Sequence, residues 1–130
     1  MAAITLGEFP GRVLAAFPEL GEEFAEDDGL PYIQMGTFAR LMQRTKGDGD
    51  WAAYGRAARL ADELWVGADE GLRNTLNVSL LEHLDFDGPR GSQAWSLLGP
   101  RLQRAWRAMD AYNTWLHSGA RGAPPAEADV

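Results

Sequence analysis

Asp69-Glu-Gly-Leu-Arg-Asn-Thr-Leu-Asn-Val-Ser-Leu-Leu-Glu-His-Leu-Asp-Phe-Asp87 reads as one helix running into a loop. Asp69 is a good N-cap, since its short carboxylate can accept from the free N–H groups of a first turn. The helix then runs to about Leu84, with aliphatic residues through most of its length. Set among them are Glu70, Asn74 and Asn77, which follow i, i+4, i+7 and so form one polar edge. Asparagine is a poor helix former because its side chain competes for backbone hydrogen bonds. Two of them in mid-helix therefore indicate a specific task. Either they tie a neighbouring loop or helix end by bonding to its backbone, or they meet a partner. Glu82, one turn past Val78 and beside a dense leucine set, faces the same choice.

Outward from this helix the rest of the chain also follows a helical period, and no run alternates apolar and polar residues for long. Thr5-Leu-Gly-Glu8 fits a capping box that starts a helix near Leu6 and carries it to about Phe17. Pro18 opens a short acidic helix as its first residue, and Asp27-Asp28-Gly29 closes it. Tyr32 to Arg44 is a helix with Ile33, Phe38, Leu41 and Met42 apolar, stopped by Lys46-Gly47. Asp50 caps the next, Trp51 to Val66, whose Trp51, Tyr54, Ala58, Ala61 and Trp65 form one buried stripe. After the turn-rich Asp85–Gly91 loop, Ser92 caps a short helix to Leu98. Pro100 begins the last long one, to about His117, with Leu102, Trp106, Met109, Asn113 and Leu116 along one side. The expected fold is all-α, a single domain of six or seven helices packed as antiparallel hairpins over residues 1–118. A flexible tail follows at 119–130. Trp51, Trp65, Trp95 and Trp106 are expected in the core, with Trp115 partly exposed.

At 130 residues the chain suits one domain, and its 45% hydrophobic and 24% charged residues are ordinary globular shares. It has no cysteine, which excludes thiolate metal sites and disulfides and fits a reducing, cytoplasmic setting. The N-terminal segment lacks the basic and apolar regions of a signal peptide, and no run is long enough to span a membrane. The net charge of −7 is concentrated early: Glu8, Glu19, Glu22, Glu23, Glu26, Asp27 and Asp28 face a lone Arg12 within residues 1–30. Such a surface repels phosphates, argues against nucleic acid and favours a basic partner, although it also serves solubility.

Motifs for chemistry are lacking. His83 and His117 are far apart, Glu82 and His83 point apart on a helix, and the Asp85-Phe-Asp87-Gly88 turn has Ser96 where a calcium loop needs its glutamate. Ser79 and His83 share an i, i+4 spacing but have no nucleophile elbow around them. No Walker loop or dinucleotide fingerprint occurs. The expectation is a non-enzymatic chain with no cofactor and no metal.

Leu30-Pro-Tyr-Ile-Gln-Met-Gly-Thr-Phe-Ala-Arg-Leu41, the Gly49-Asp-Trp helix start, and Arg73-Asn-Thr-Leu-Asn-Val-Ser-Leu-Leu-Glu-His-Leu84 together resemble small bacterial all-helical domains, over roughly residues 17–85. Several such domains look like immunity proteins of polymorphic toxin systems. The matching positions are Tyr32, Asn74 and Glu82. Where the pattern has an acid in the Trp51 helix, this chain has Asp62 and Glu63, and nothing after Gly91 matches. The resemblance implies a monomeric or weakly dimeric inhibitor that occludes a cognate, basic toxin. The expected contacts are Asp69, Glu70, Asn74, Asn77, Glu82, Asp85, Asp87 and Tyr32, with the acidic Glu19–Asp28 segment as a second patch. The competing reading is a small helical adaptor that self-associates through an apolar face.

Overall fold

Seven α-helices form the domain in a computed structural model that describes residues 2–119 and 122–125. Its N-terminal Thr5 and Glu8 form a reciprocal capping box. Glu8 N–H donates to Thr5 Oγ1 (3.2 Å) and Thr5 N–H donates to Glu8 Oε1 (3.3 Å). Helix α1 (Phe9–Ala16) follows, then a 3-10 turn (Pro18–Leu20) and α2 (Gly21–Glu26). Helices α3 (Pro31–Asp48) and α4 (Trp51–Gly67) make the central hairpin. They are joined at Gly49, which adopts φ +69° and ends α3 left-handed, and at Asp50, whose carboxylate accepts from Ala53 N–H (3.2 Å). The stop is thus Gly49 rather than Gly47, because α3 continues four residues past Arg44.

Helix α5 (Glu70–Thr75) does not run on as a regular helix. It widens into a π-helical turn (Leu76–Leu80) and closes as a 3-10 turn (Leu81–His83). The leucine pattern supplies the reason. At about 100° per residue, Leu81 would stand roughly opposite Leu72 on a regular helix. One extra residue in the widened turn rotates Leu81 back, and Leu72, Leu76, Leu80 and Leu81 are all fully buried.

Helix α6 (Gly91–Leu97) packs on α4, and α7 (Pro100–His117) packs on α4 and on the widened segment. Ser92 is not the cap of α6, whose first residue is already Gly91 and whose N-cap position is held by Arg90 without a side-chain bond. One buried cluster runs through all of these helices, from Phe9, Val13 and Phe17 through Phe38, Met42, Tyr54 and Leu64 to Leu102. Trp65 lies in it, whereas Trp51, Trp95 and Trp106 are half-buried, packed against it from the side. Trp95, Trp106 and Phe86 meet edge to face, with centroids 4.9–5.5 Å apart.

Two other departures come from backbone pairing and exposure. Ile4 N–H donates to Gly67 O (2.7 Å) and Asp69 N–H to Ile4 O (2.8 Å), tying the N-terminal segment to the end of α4. Ile33 and Leu116, read as helix-stripe residues, are exposed, while Met35 takes the inward place on α3. Of the tail at 119–130, residues 120, 121 and 126–130 lie outside those described.

Candidate functional site

The polar edge of the widened helix opens onto a groove. Glu70, Asn74, Asn77 and Glu82 line it with Val78 from their own helix, Ala105, Ala108, Met109, Tyr112 and Asn113 from α7, Trp65 and Arg73 beneath, and Pro125 from the chain's last described segment. Its volume is about 530 Å³, within the range of ligand clefts. The widened turn spans Asn77 and Val78, and such turns recur at functional positions because they re-aim side chains.

The backbone tie considered for the two asparagines is not formed. Neither the Asn74 nor the Asn77 side chain makes a hydrogen bond among the described residues, so neither ties a loop or helix end. Other groups do that work: Arg73 Nη2 donates to Trp65 O (2.9 Å), and Trp106 Nε1 donates to Leu84 O (3.2 Å). Glu82 is engaged across the groove, accepting from Asn113 Nδ2 (3.1 Å).

Beneath the edge, the Arg73 guanidinium lies 4.7 Å over the Trp65 ring. Trp65 is 4% exposed, yet its indole N–H has no acceptor, and the buried Nε–H of Arg73 has none either. Buried donors without partners are uncommon and costly, at about 1–3 kcal/mol each. Sequence reading placed Trp65 in the core, correctly, but could not see that its polar edge is orphaned. Arg73 carried a signal of its own, as the lone arginine among acids from Asp69 to Asp87. Tyr112 and Pro125 carried none, because only the packing of α7 brings them here.

The remaining expected contacts lie elsewhere. Asp69 spends its carboxylate as N-cap of α5, accepting from Leu72 N–H (2.8 Å). Tyr32 is half exposed at the start of α3, beside exposed Leu30 and Ile33. Asp85 pins its loop to the end of α3: Lys46 Nζ donates to Asp85 O (2.7 Å) and Oδ1 (3.1 Å), and Gln43 Nε2 to Oδ2 (2.8 Å). Arg90 donates to Gly47 O from the far side of the same loop. Burial raises the Asp85 carboxyl, but the hydrogen bonds from Lys46 and Gln43 outweigh it and hold the group below the usual aspartate value. Burial, and then the Asp85 charge, push the Tyr54 hydroxyl well above its ordinary value. Asp87 is exposed on that loop. Asp62, one of the two acids of the resemblance, lies against Gly99 at the start of α7, and its buried Oδ1 accepts no hydrogen bond.

The groove residues Trp65 to Asn113 all fall inside the stretch matched by a family model described as a domain of unknown function (DUF7674), residues 10–114. The chain belongs to that family. No curated protein and no solved structure matches it. The matched stretch of this DUF7674 member runs from the second residue of α1 into the last turn of α7.

A second cleft of about 360 Å³ is lined by Leu20, Glu23, Thr37, Arg40, Gln43 and Arg44, but there Arg40 donates to Thr37 and Gln43 to Asp85. Ser79 is buried and His83 exposed, so their helical spacing does not give them a common environment. No group of three or more metal-ligating side chains occurs among the described residues.

Proposed function

We propose that this chain is a non-enzymatic protein-binding domain whose groove, between the widened 70–83 helix and α7, receives a segment of a partner protein. The observation that carries the reading is the convergence of unbonded Asn74 and Asn77 on a groove whose other walls are Val78, Met109 and Tyr112. Such a site is completed by an incoming backbone or side chain, which bonds to the two asparagine amides. The acids Glu70 and Glu82 at the groove, and Glu19–Asp28 on the N-terminal side, suit a basic partner, steering its approach and making the encounter salt-sensitive. Together with the motif resemblance, these features favour an immunity-like inhibitor acting in the cytoplasm as a monomer or weak dimer, which neutralises a cognate toxin by occlusion.

The test uses the product of the adjacent gene, co-expressed and titrated against the full chain by calorimetry. Expected are rescue of growth, binding that weakens with salt, and a loss of roughly tenfold or more in affinity for Asn74→Ala/Asn77→Ala. The same double variant should unfold no more easily than the parent, because alanine is the better helix former and no native bond is lost. A drop in stability with unchanged binding would return both asparagines to a structural role. Absence of binding or rescue with every neighbouring product would sink the inhibitor reading.

The adaptor alternative is favoured by one observation: Leu30, Tyr32 and Ile33, at the first turn of α3, are apolar residues each about half exposed, at 48%, 50% and 48%. It predicts a stable oligomer broken by Tyr32→Glu/Ile33→Glu, and elution as a monomer at all concentrations would remove it.

A further inference from the structure

The widened turn does more than bury a leucine. Glu82 stands twelve positions after Glu70, and on a regular helix that spacing would put it about 120° away from the edge that Glu70 begins. The extra residue in the Leu76–Leu80 turn takes back about 100° of this, so Glu82 joins Glu70, Asn74 and Asn77 along one wall of the groove. That wall reads acid, amide, amide, acid over a length of about 17 Å, at about 1.5 Å per residue. Its side chains have bonding capacity to spare. Glu70, Asn74 and Asn77 make no side-chain hydrogen bond or ion pair among the described residues, and Glu82 meets only Asn113. Arg73, the one cation lining the groove among those residues, is already drawn over the Trp65 ring and donates to Trp65 O. The facing wall is apolar along Ala105, Ala108, Met109 and Tyr112 of α7.

Each asparagine carboxamide carries an acceptor oxygen beside N–H donors, as a peptide unit does, so it can pair with both the N–H and the C=O of one residue of an extended chain. A helical occupant spends those groups on its own ladder and offers the asparagines side chains alone. The acids at the two ends of the wall set the charge. An extended segment advances about 3.3 Å per residue and puts every second side chain on the same face, so cations four or six positions apart reach both acids.

Resting on the reading of the groove as a partner site, we infer that it holds an extended segment of the partner protein carrying two Lys or Arg residues four or six positions apart. The cations pair with Glu70 and Glu82, Asn74 and Asn77 hold the backbone between them, and the intervening apolar side chains pack on Met109 and Tyr112. The widened turn sets this spacing, because it is what puts the second acid on the wall.

A capped peptide, Lys-Ser-Val-Ser-Val-Ser-Lys, titrated into the full chain tests this by calorimetry and by the side-chain amide resonances of Asn74 and Asn77, assigned from the spectra of the single alanine variants. Both resonances are expected to shift with saturation. Affinity should fall roughly tenfold in Asn74→Ala/Asn77→Ala and roughly tenfold in Glu70→Gln/Glu82→Gln. It should fall by a similar factor for the same peptide N-methylated at both valines, which keeps its charges and loses two backbone donors. Unmoved amide resonances at millimolar peptide overturn the inference. Undiminished binding of the N-methylated peptide overturns the reading of backbone, and leaves side chains alone as the contact, as a helical occupant requires. An affinity indifferent to Glu70→Gln/Glu82→Gln overturns the charge pairing. Amide resonances that move on diluting the protein by itself assign the groove to a second copy of the chain and overturn the inference as well. The underlying reading fails separately: a protein partner whose binding ignores Asn74→Ala/Asn77→Ala does not use this groove at all. A partner sensitive to those changes, alongside a silent lysine peptide, removes the extended basic segment alone.

Discussion

Gly91 is fixed by its neighbours more tightly than any other glycine of the chain. A Cβ built there would run into Phe86 O, a backbone atom that cannot swing away as a side chain can. The constraint arises because the Asp85–Arg90 loop closes on the first turn of α6 while Phe86 is held between Trp95 and Trp106. Gly91→Ala is therefore expected to destabilise the fold by about 2 kcal/mol or more, measured by urea unfolding. Gly21→Ala, where no atom outside the local helix lies within 4 Å, is the control and should change stability by less than about 1 kcal/mol. The Asp85–Gly91 stretch was legible in the sequence as turn-rich, but an approach of this kind was not, since it depends on where two tryptophans from different helices place Phe86.

At the level of single elements, local signals were readable where a side chain acts on its own backbone. The Thr5–Glu8 capping box and the caps Asp50 and Asp69 are all present, because each needs only residues within three positions. Asp69→Ala should cost about 1 kcal/mol of stability through the first turn of α5. Ser92→Ala should fall within about 0.5 kcal/mol, because Ser92 already lies inside α6 and caps nothing; thermal unfolding of the two variants side by side distinguishes them. The widened turn was not readable. Its cause is the demand of the core that Leu72, Leu76, Leu80 and Leu81 all be buried together, a demand a regular helix cannot meet. The leucine pair at 80 and 81 carries that conflict in the sequence, but its resolution belongs to the packed state.

For the molecule as a whole, acid sensitivity should centre on the clamp between α3 and the Asp85 loop. Asp85 titrates below its ordinary value near 3.8 in the folded state, so the unfolded chain takes up its proton first as the pH falls. Its contribution is therefore present above the ordinary aspartate pKa and is lost as the pH falls through the lower value of the folded state. Asp85→Asn should flatten that part of the stability profile, measured by urea unfolding at stepped pH, while leaving the groove untouched. An unaltered profile would mean that the exposed half of the carboxylate is screened enough to cancel the clamp.

The sequence by itself determined that the domain is all helical, where most helices begin, and which edge of the 69–84 segment is polar, since these follow from periodicity and from caps that act over a few residues. It also singled out four residues, Glu70, Asn74, Asn77 and Glu82, that share one groove. Only the tertiary structure decided that Asp85 is tied to α3, that the asparagines are left unbonded, and that Trp65 and Arg73 carry buried donors without partners. The physical reason is that a hydrogen bond's absence is a property of everything packed around a group, and no spacing within one helix encodes what α7 fails to bring.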